Sequence, residues 1–187
     1  IYKCYSNLIP KAFKADLFRL CLLLERGGIY VDAHTIPYKN LSEILKNIDL
    51  NREHFVSVLD PERSGGGIHN GFVACSPGHP FVHECIRIIV RNVDSKNYTD
   101  SPLGVTGPLC LARAVCAISH VSELSEGWNG NSNRFFLLRL AWGPSQYVYR
   151  KTQIVMSKKH CLLSCALDKL KPSRYALLWK NRAIFKS

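Results

Sequence analysis

The chain has 187 residues, 47% of them apolar, with 25 Lys plus Arg against 14 Asp plus Glu and a formal charge of +11. This length and apolar content suit one globular domain and exclude a disordered, collagen-like or heptad-repeat chain. The longest apolar runs, such as Leu20–Leu24 and Phe135–Leu138, fall far short of the roughly 18 to 20 residues that a membrane-crossing helix needs.

The charge is uneven. Residues 1–133 carry 13 basic and 13 acidic side chains, whereas residues 134–187 carry 12 basic ones and a single acid, Asp168. Ile1 to Pro10 has neither a long apolar stretch nor a small-residue cleavage site, so it does not read as a signal peptide; headed by Ile rather than Met, it reads as a cut within a longer chain.

Pro10 followed by KAFKADLFRLCLLLER predicts a helix with proline in its first turn, stopped by Gly27-Gly28. Ile29–Val31 then reads as a short buried strand. Leu41 to Ile48, apolar at 41, 44, 45 and 48, has the period of an amphipathic helix. Phe55–Leu59 reads as a second strand, SGGG at 64–67 as a polar loop and Ile68–Cys75 as a third strand. Pro80–Val93 and Gly107–Ile118 read as helices.

Beyond about residue 120 the periodicity weakens. Ser122–Asn133 reads as a mobile loop, and Phe135–Leu140, Tyr147–Tyr149, Ile154–Met156 and Tyr175–Trp179 as short strands. Helices alternating with strands predict an α/β fold with a mainly parallel or mixed sheet. The expected organisation is a single domain over 1–187, with a core in 1–120 and a basic C-terminal part in 121–187.

Eight cysteines stand at 4, 21, 75, 85, 110, 116, 161 and 165. No C-x-x-C occurs, and several lie inside apolar runs, which favours mostly free thiols over disulfides or a structural zinc site. The sequons at Asn40 and Asn97 are too short to establish secretion.

The residues able to carry chemistry concentrate in Lys14-Ala15-Asp16-Leu17-Phe18-Arg19 and in Gly27-Gly28-Ile29-Tyr30-Val31-Asp32-Ala33-His34. Asp16 and Arg19, three apart on a helix, share a face. Asp32 and His34, two apart at a strand end, point to one side where the backbone is extended. A carboxylate with an imidazole suits manganese, cobalt or zinc better than magnesium, and two protein ligands leave positions for a diphosphate and water. The same spacings fit an ordinary surface ion pair and strand-end turn chemistry, so spacing alone leaves both readings open.

The motifs K-x-D-x-x-R at 14–19 and L-x-E-x-G-G-I-Y-x-D-x-H at 23–34 are followed by His69-Asn70-Gly71-Phe72-Val73-Ala74-Cys75-Ser76-Pro77-Gly78-His79-Pro80-Phe81 and by Thr106-Gly107-Pro108. Four such blocks in this order resemble the sugar-nucleotide-binding core of the DXD-containing glycosyltransferases of family 32. That group includes yeast-type α-mannosyltransferases and resembles the α-1,4-galactosyltransferases and glucosylating toxins.

The resemblance implies a GT-A-like, Rossmann-like fold that binds a nucleotide-sugar such as a UDP- or GDP-hexose. It further implies transfer, with retention, to a glycan, glycolipid or glycoprotein acceptor. Asp16 and Arg19 are expected at the ribose or donor sugar, and Asp32 at ribose, sugar or metal. Asn70 and Gly71 are expected to line the donor sugar and acceptor side, with Gly28, Tyr30, Thr106 and Gly107 completing the donor site. Asp32 and Asn70 are the expected catalytic residues, and Asp32 with His34 the expected ligands of Mn2+ or another divalent cation. Cleaving the sugar–phosphate bond creates an oxocarbenium-like sugar and an anionic diphosphate, so stabilising the leaving group is the main task.

The chain departs from the family's pattern in three ways. The second acid of DXD is His34, similar to the D-x-H of polypeptide N-acetylgalactosaminyltransferases; Leu177 stands where relatives carry the His of H-x-W; and the family's first strand–helix–strand is missing ahead of Lys11. These departures keep a catalytically inactive sugar-nucleotide-binding or glycan-binding module of the same fold as the alternative. As it stands the chain is expected in the cytoplasm, or in the Golgi lumen if an anchor precedes it.

Other motifs carry less. SGGG lacks the G-K-[ST] of a phosphate loop, and no H-E-x-x-H occurs. His79, before a proline, reads as a turn residue. His160, Cys161 and Cys165 form a weak zinc set. The cations of the tail, interleaved with Tyr147, Tyr149, Tyr175 and Trp179, keep a basic nucleic-acid-binding protein as a further alternative, but they are dispersed over more than fifty residues and no nucleic-acid partner is expected.

Overall fold

The computed structural model describes residues 1–50, 54–61, 66–131, 134–142, 146–158 and 173–186, with Lys158 described in its backbone alone. His160, Cys161 and Cys165 lie outside the described residues, as does part of the SGGG loop. The helices are α1 (Tyr2–Asn7), α2 (Lys11–Arg26), α3 (Leu41–Ile44), α4 (Pro80–Asp94), α5 (Pro102–Val105), α6 (Pro108–Ser119) and α7 (Arg174–Lys180). The strands are β1 (Gly28–Val31), β2 (Thr35–Pro37), β3 (Phe55–Asp60), β4 (Gly67–Cys75), β5 (Gly127–Asn129), β6 (Phe135–Trp142), β7 (Gln146–Arg150) and β8 (Gln153–Lys158).

The strands form one sheet in the order β1-β4-β3-β6-β7-β8-β2, with β5 added to β6. It is a mixed sheet, as expected. Among the described residues β3 and β6 pair in parallel and the other pairs are antiparallel. The parallel pair is central and covered on both faces. Its side chains therefore alternate between two cores: Phe135 and Leu137 pack on one face, Phe136 and Leu138 on the other. Burial on both sides explains why β6 reads as a continuous apolar run and not as an alternation.

On one face α2, α4 and α6 cover the sheet through Leu17, Leu20, Phe81, Ile89 and Leu111, all at most 1% exposed, and α1 packs on α2 and α4. α2 stops where the sequence places the stop. Gly27 adopts φ +62, and a Cβ there would lie 2.5 Å from the Pro77 nitrogen, so this residue must be glycine both for its backbone and for the close pass of the next loop. α4 begins as its sequence suggests, with His79 as N-cap accepting from the Phe81 amide at 3.2 Å.

Three elements differ from expectation. Tyr175–Trp179 lies in helix α7 and not in a strand, because Tyr175, Leu178 and Trp179 sit at helical spacing and rest together against the helical core. A five-residue apolar run does not separate the two periods by itself. The helix expected over Leu41–Ile48 is a single turn, since Asn47 takes a left-handed φ of 65. The loop expected over Ser122–Asn133 contains β5, held by the Asn129 side chain, which donates to the Ser125 and Gly127 carbonyls at 2.8 and 3.0 Å. α1 and β2 carried no signal strong enough to be expected.

Candidate functional site

Pairing in the sheet brings the polar residues together. β1 runs antiparallel to β4 with Val31 opposite Phe72, so the next residue, Asp32, meets Gly71, whose carbonyl accepts from the Asp32 amide at 2.8 Å. Asn70 follows along β4. Because β3 and β6 are parallel, their C-terminal residues Asp60 and Trp142 emerge at the same edge, and the Trp142 indole N–H donates to Asp60 Oδ1 at 3.0 Å. α2 lays Asp16 and Arg19 over this edge.

Arg19 joins the parts. Nη1 donates to Asp32 Oδ1 at 3.1 Å and to the Asn70 carbonyl at 2.8 Å, Nη2 lies 3.4 Å from Asp16 Oδ1, and Nε donates to the Ala15 carbonyl at 3.3 Å. The guanidinium also stacks 4.6 Å from the Tyr30 ring centroid, while the Tyr30 hydroxyl donates to Asp32 Oδ1 at 3.1 Å. One cation is thus held between two carboxylates and an aromatic face.

Asp16 is anchored on both oxygens. Asn70 Nδ2 donates to Oδ1 and the Thr106 hydroxyl to Oδ2, each at 2.9 Å. Burial nevertheless pushes its carboxyl up to about 6, against the opposing pull of Arg19 and of the Thr106 and Asn70 hydrogen bonds.

These groups line a cavity of about 370 Å³. Of the expected site residues, Asp16, Arg19, Asp32, Asn70 and Gly107 form its wall. Tyr30, Gly71 and Thr106 stand behind the wall and position it. Gly71 has no room for a side chain: a Cβ would lie 2.4 Å from His69 Cε1 and 2.6 Å from Asp32 Oδ2. Gly28, at the far end of β1 opposite Cys75, and His34, exposed in the turn after Asp32, are not among the lining residues.

The extended-strand argument for Asp32 and His34 does not hold in the structure. β1 ends at Val31, and the Thr35 amide donates back to the Asp32 carbonyl at 2.9 Å, closing a turn across the pair. Among the described residues no three His, Cys, Asp or Glu side chains converge as a metal cage.

Sequence reasoning did not single out Asp60, Trp142, Phe13 or Tyr175, all of which also line the cavity. The convergence of Asp60, Trp142 and Tyr175 depends on the β3–β6 pairing and on α7, neither of which has a local signature, whereas Phe13 lies on α2 three residues before Asp16. His69 is a further wall residue, noticed in sequence only as part of a motif.

Several of the described tail cations are engaged within the fold. Arg139 pairs with Glu126 at 3.2 Å, Arg150 donates to the Ile44 carbonyl, and Arg182 stacks 4.5 Å from the Tyr98 ring. The six described cysteines are free thiols, Cys85 and Cys110 lying 3.7 Å apart in the core.

Residues 1–51 match the family model described as glycosyltransferase sugar-binding region containing DXD motif. The chain is 29% identical over 126 residues to the initiation-specific α-1,6-mannosyltransferase of Schizosaccharomyces pombe, covering 58% of this chain and 32% of that protein. It is 28% identical over 115 residues to the human α-1,4-N-acetylglucosaminyltransferase, covering 60% of this chain and 28% of that protein. The chain therefore spans about a third of the length of these curated relatives. Among solved structures, the PaToxG glycosyltransferase superimposes with a TM-score of 0.45 at 20% identity, over 57% of this chain and 35% of that one. By its N-terminal motifs the chain is thus similar, over residues 1–51, to the sugar-binding region of the DXD-containing glycosyltransferases, and over a longer stretch to parts of these two transferases.

Proposed function

We propose that the protein is a hexosyltransferase of GT-A-like fold that moves a hexose from a nucleotide-diphospho-sugar, UDP- or GDP-linked, to a glycan or glycoconjugate acceptor with retention of configuration. The observation that carries this reading is the Asp16–Arg19–Asp32–Asn70 network on the wall of one cavity, built from the same residues that match the family's motifs.

The geometry supports a division of labour. Asp16 and Asp32 offer carboxylate oxygens to sugar hydroxyls, and Arg19 holds both carboxylates in place while lending positive charge to the wall. The Asn70 side chain is oriented by Asp16, and its carbonyl by Arg19. Preorganised groups of this kind favour the charge-separated transition state because they need not reorient as the bond breaks. Acceptor attack takes place on the face from which the diphosphate departs.

On the cavity wall a divalent cation would take the Asp32 carboxylate, with its other positions open to diphosphate oxygens and water; the His34 imidazole lies outside that wall and would join only with a rearrangement of the turn after Val31. Bound there it would act as a Lewis acid on the leaving diphosphate. The exposed position of His34 favours a second reading, a binding module that holds the nucleotide-sugar without turning it over.

Calorimetric titration with UDP- and GDP-hexoses in manganese, followed by an assay of transfer and donor hydrolysis, tests both readings. Binding with turnover that Asp32→Ala abolishes supports the transferase. Binding without turnover supports the module, and full activity in excess chelator overturns the metal's role.

A further inference from the structure

The wall residues of β4 sit where its pairing with β3 breaks step. β4 pairs with β3 as Ala74 with Val56 and next as His69 with Val58, so Asn70, Gly71, Phe72 and Val73 all stand opposite Ser57 alone. This is a large bulge, and bulges re-aim side chains beside functional sites. On the other side of β4 the register never slips. Gly28 to Val31 meet Cys75 to Phe72 in step, and the Asp32 amide continues the series onto the Gly71 carbonyl at 2.8 Å. The bulged segment therefore keeps to β1 and parts from β3. From it the Asn70 side chain donates to Asp16 Oδ1 at 2.9 Å, and the Asn70 carbonyl accepts from Arg19 Nη1 at 2.8 Å.

Ser57 is the one polar residue of β3 ahead of Asp60, and it is fully buried. A hydroxyl in such a place costs stability unless it is hydrogen-bonded. Its Oγ lies 3.0 Å from the His69 carbonyl oxygen and 2.9 Å from that of Phe72, so its single proton is shared between the two. Those carbonyls flank Asn70 and Gly71. Because the Gly71 carbonyl turns to β1, the alternation of an antiparallel pair turns the Phe72 carbonyl toward β3, where Ser57 meets it. Alanine would fill nearly the same space in this apolar strand, but it would not tie the two ends of the bulge together.

We propose that Ser57 is a positioning residue of the site: its hydroxyl closes the β4 bulge and so holds Asn70 and Gly71 against Asp16, Arg19 and Asp32. Ser57 does not line the cavity and acts through Asn70. Its effect on affinity rests on the reading that the cavity holds a nucleotide-sugar, whereas the placement of Asn70 is a property of the free protein.

The test is Ser57→Ala, compared with wild type at a temperature where circular dichroism shows both proteins folded, so that a loss of stability alone does not change the affinity. Titrated with UDP-glucose and GDP-mannose in manganese, the variant is expected to bind the sugar nucleotide that wild type prefers about ten-fold more weakly, the scale of one lost hydrogen bond. In 1H–15N spectra of the free protein, the Asn70 side-chain amide is expected to lose its protection from solvent exchange as its bond to Asp16 is released. A hydroxyl that served only the stability of β3 would leave that amide unmoved. An unchanged affinity, or a weakened one with the Asn70 amide still protected, overturns the proposal and leaves the transferase reading standing. If neither sugar nucleotide binds wild type, the transferase reading fails for these donors and the Asn70 amide decides: its release supports the role of Ser57, and its retention overturns it.

Discussion

Arg19 Nη1 stands 3.1 Å from Asp32 Oδ1, and the same nitrogen donates at 2.8 Å to the Asn70 carbonyl. A residue in the middle of α2 thereby ties that helix to the end of β1 and to β4. Arg19 is only 8% exposed, so its charge and those of its partners are largely out of water. In such a setting the partners depend on one another, because removing one leaves the others buried and uncompensated.

Arg19→Ala is therefore expected to destabilise the fold by about 3 kcal/mol and to abolish donor binding. Lysine keeps the charge but not the planar fork that reaches Asp32, Asn70 and Asp16 together, so Arg19→Lys should recover only part of the loss. Urea denaturation of the three proteins checks this, and a lysine variant as stable as wild type would contradict the role of the fork.

Asp16 makes stability depend on pH. Its carboxyl rises from the ordinary 3.8 to about 6 in the folded chain, with burial as the largest cause. Below the lower value the group is protonated in both states and contributes nothing. Between the two values the folded chain keeps a proton that the unfolded chain has released, so stability falls as pH rises through this window and levels off above it. Asp16→Asn stays neutral throughout. The melting temperature of the variant relative to wild type should therefore climb from pH 4 to pH 6.5, and a flat difference would show that burial of Asp16 carries no such cost.

Much of one cavity wall was legible in the sequence because it is built locally. Asp16 and Arg19 share a helix turn, Asp32 follows a glycine-stopped helix and a short strand, and Asn70 sits in a strand with its own apolar signature. The opposite wall was not legible. Asp60 and Trp142 are 82 positions apart and meet only because β3 and β6 pair in parallel. Tyr175 reaches the cavity because a run that reads equally well as a strand folds as α7. The expectation that Asp32 and His34 point the same way assumed an extended backbone that the turn after Val31 replaces.

Gly71→Ala should be costly even though it adds one methyl group. The new Cβ would lie 2.4 Å from His69 Cε1 and 2.6 Å from Asp32 Oδ2, closer than any real contact, and neither neighbour is a free-swinging chain end. The expected cost is about 1 to 3 kcal/mol, in the range of other overpacked sites. Displacement of Asp32 should also weaken donor binding more than the loss of stability accounts for. Denaturation midpoints and donor titration on the same protein sample separate the two effects.

The helical face of the sheet rests on three phenylalanines that meet edge to face. Phe81 lies 5.4 Å from Phe55 at 75° and 5.5 Å from Phe135 at 88°, and all three are fully buried. Phe81 also follows the cap of α4, since His79 accepts from its amide. Packing and capping can be told apart by size. Phe81→Ala removes a ring from a closed core and should cost about 3 to 5 kcal/mol, whereas His79→Ala removes mainly a cap and should cost about 1 kcal/mol. The two rings are in contact, their centroids 4.9 Å apart, so the double variant should cost less than the sum of the singles. Chemical denaturation of the four proteins measures that coupling, and strict additivity would mean that His79 acts on α4 independently of the aromatic core.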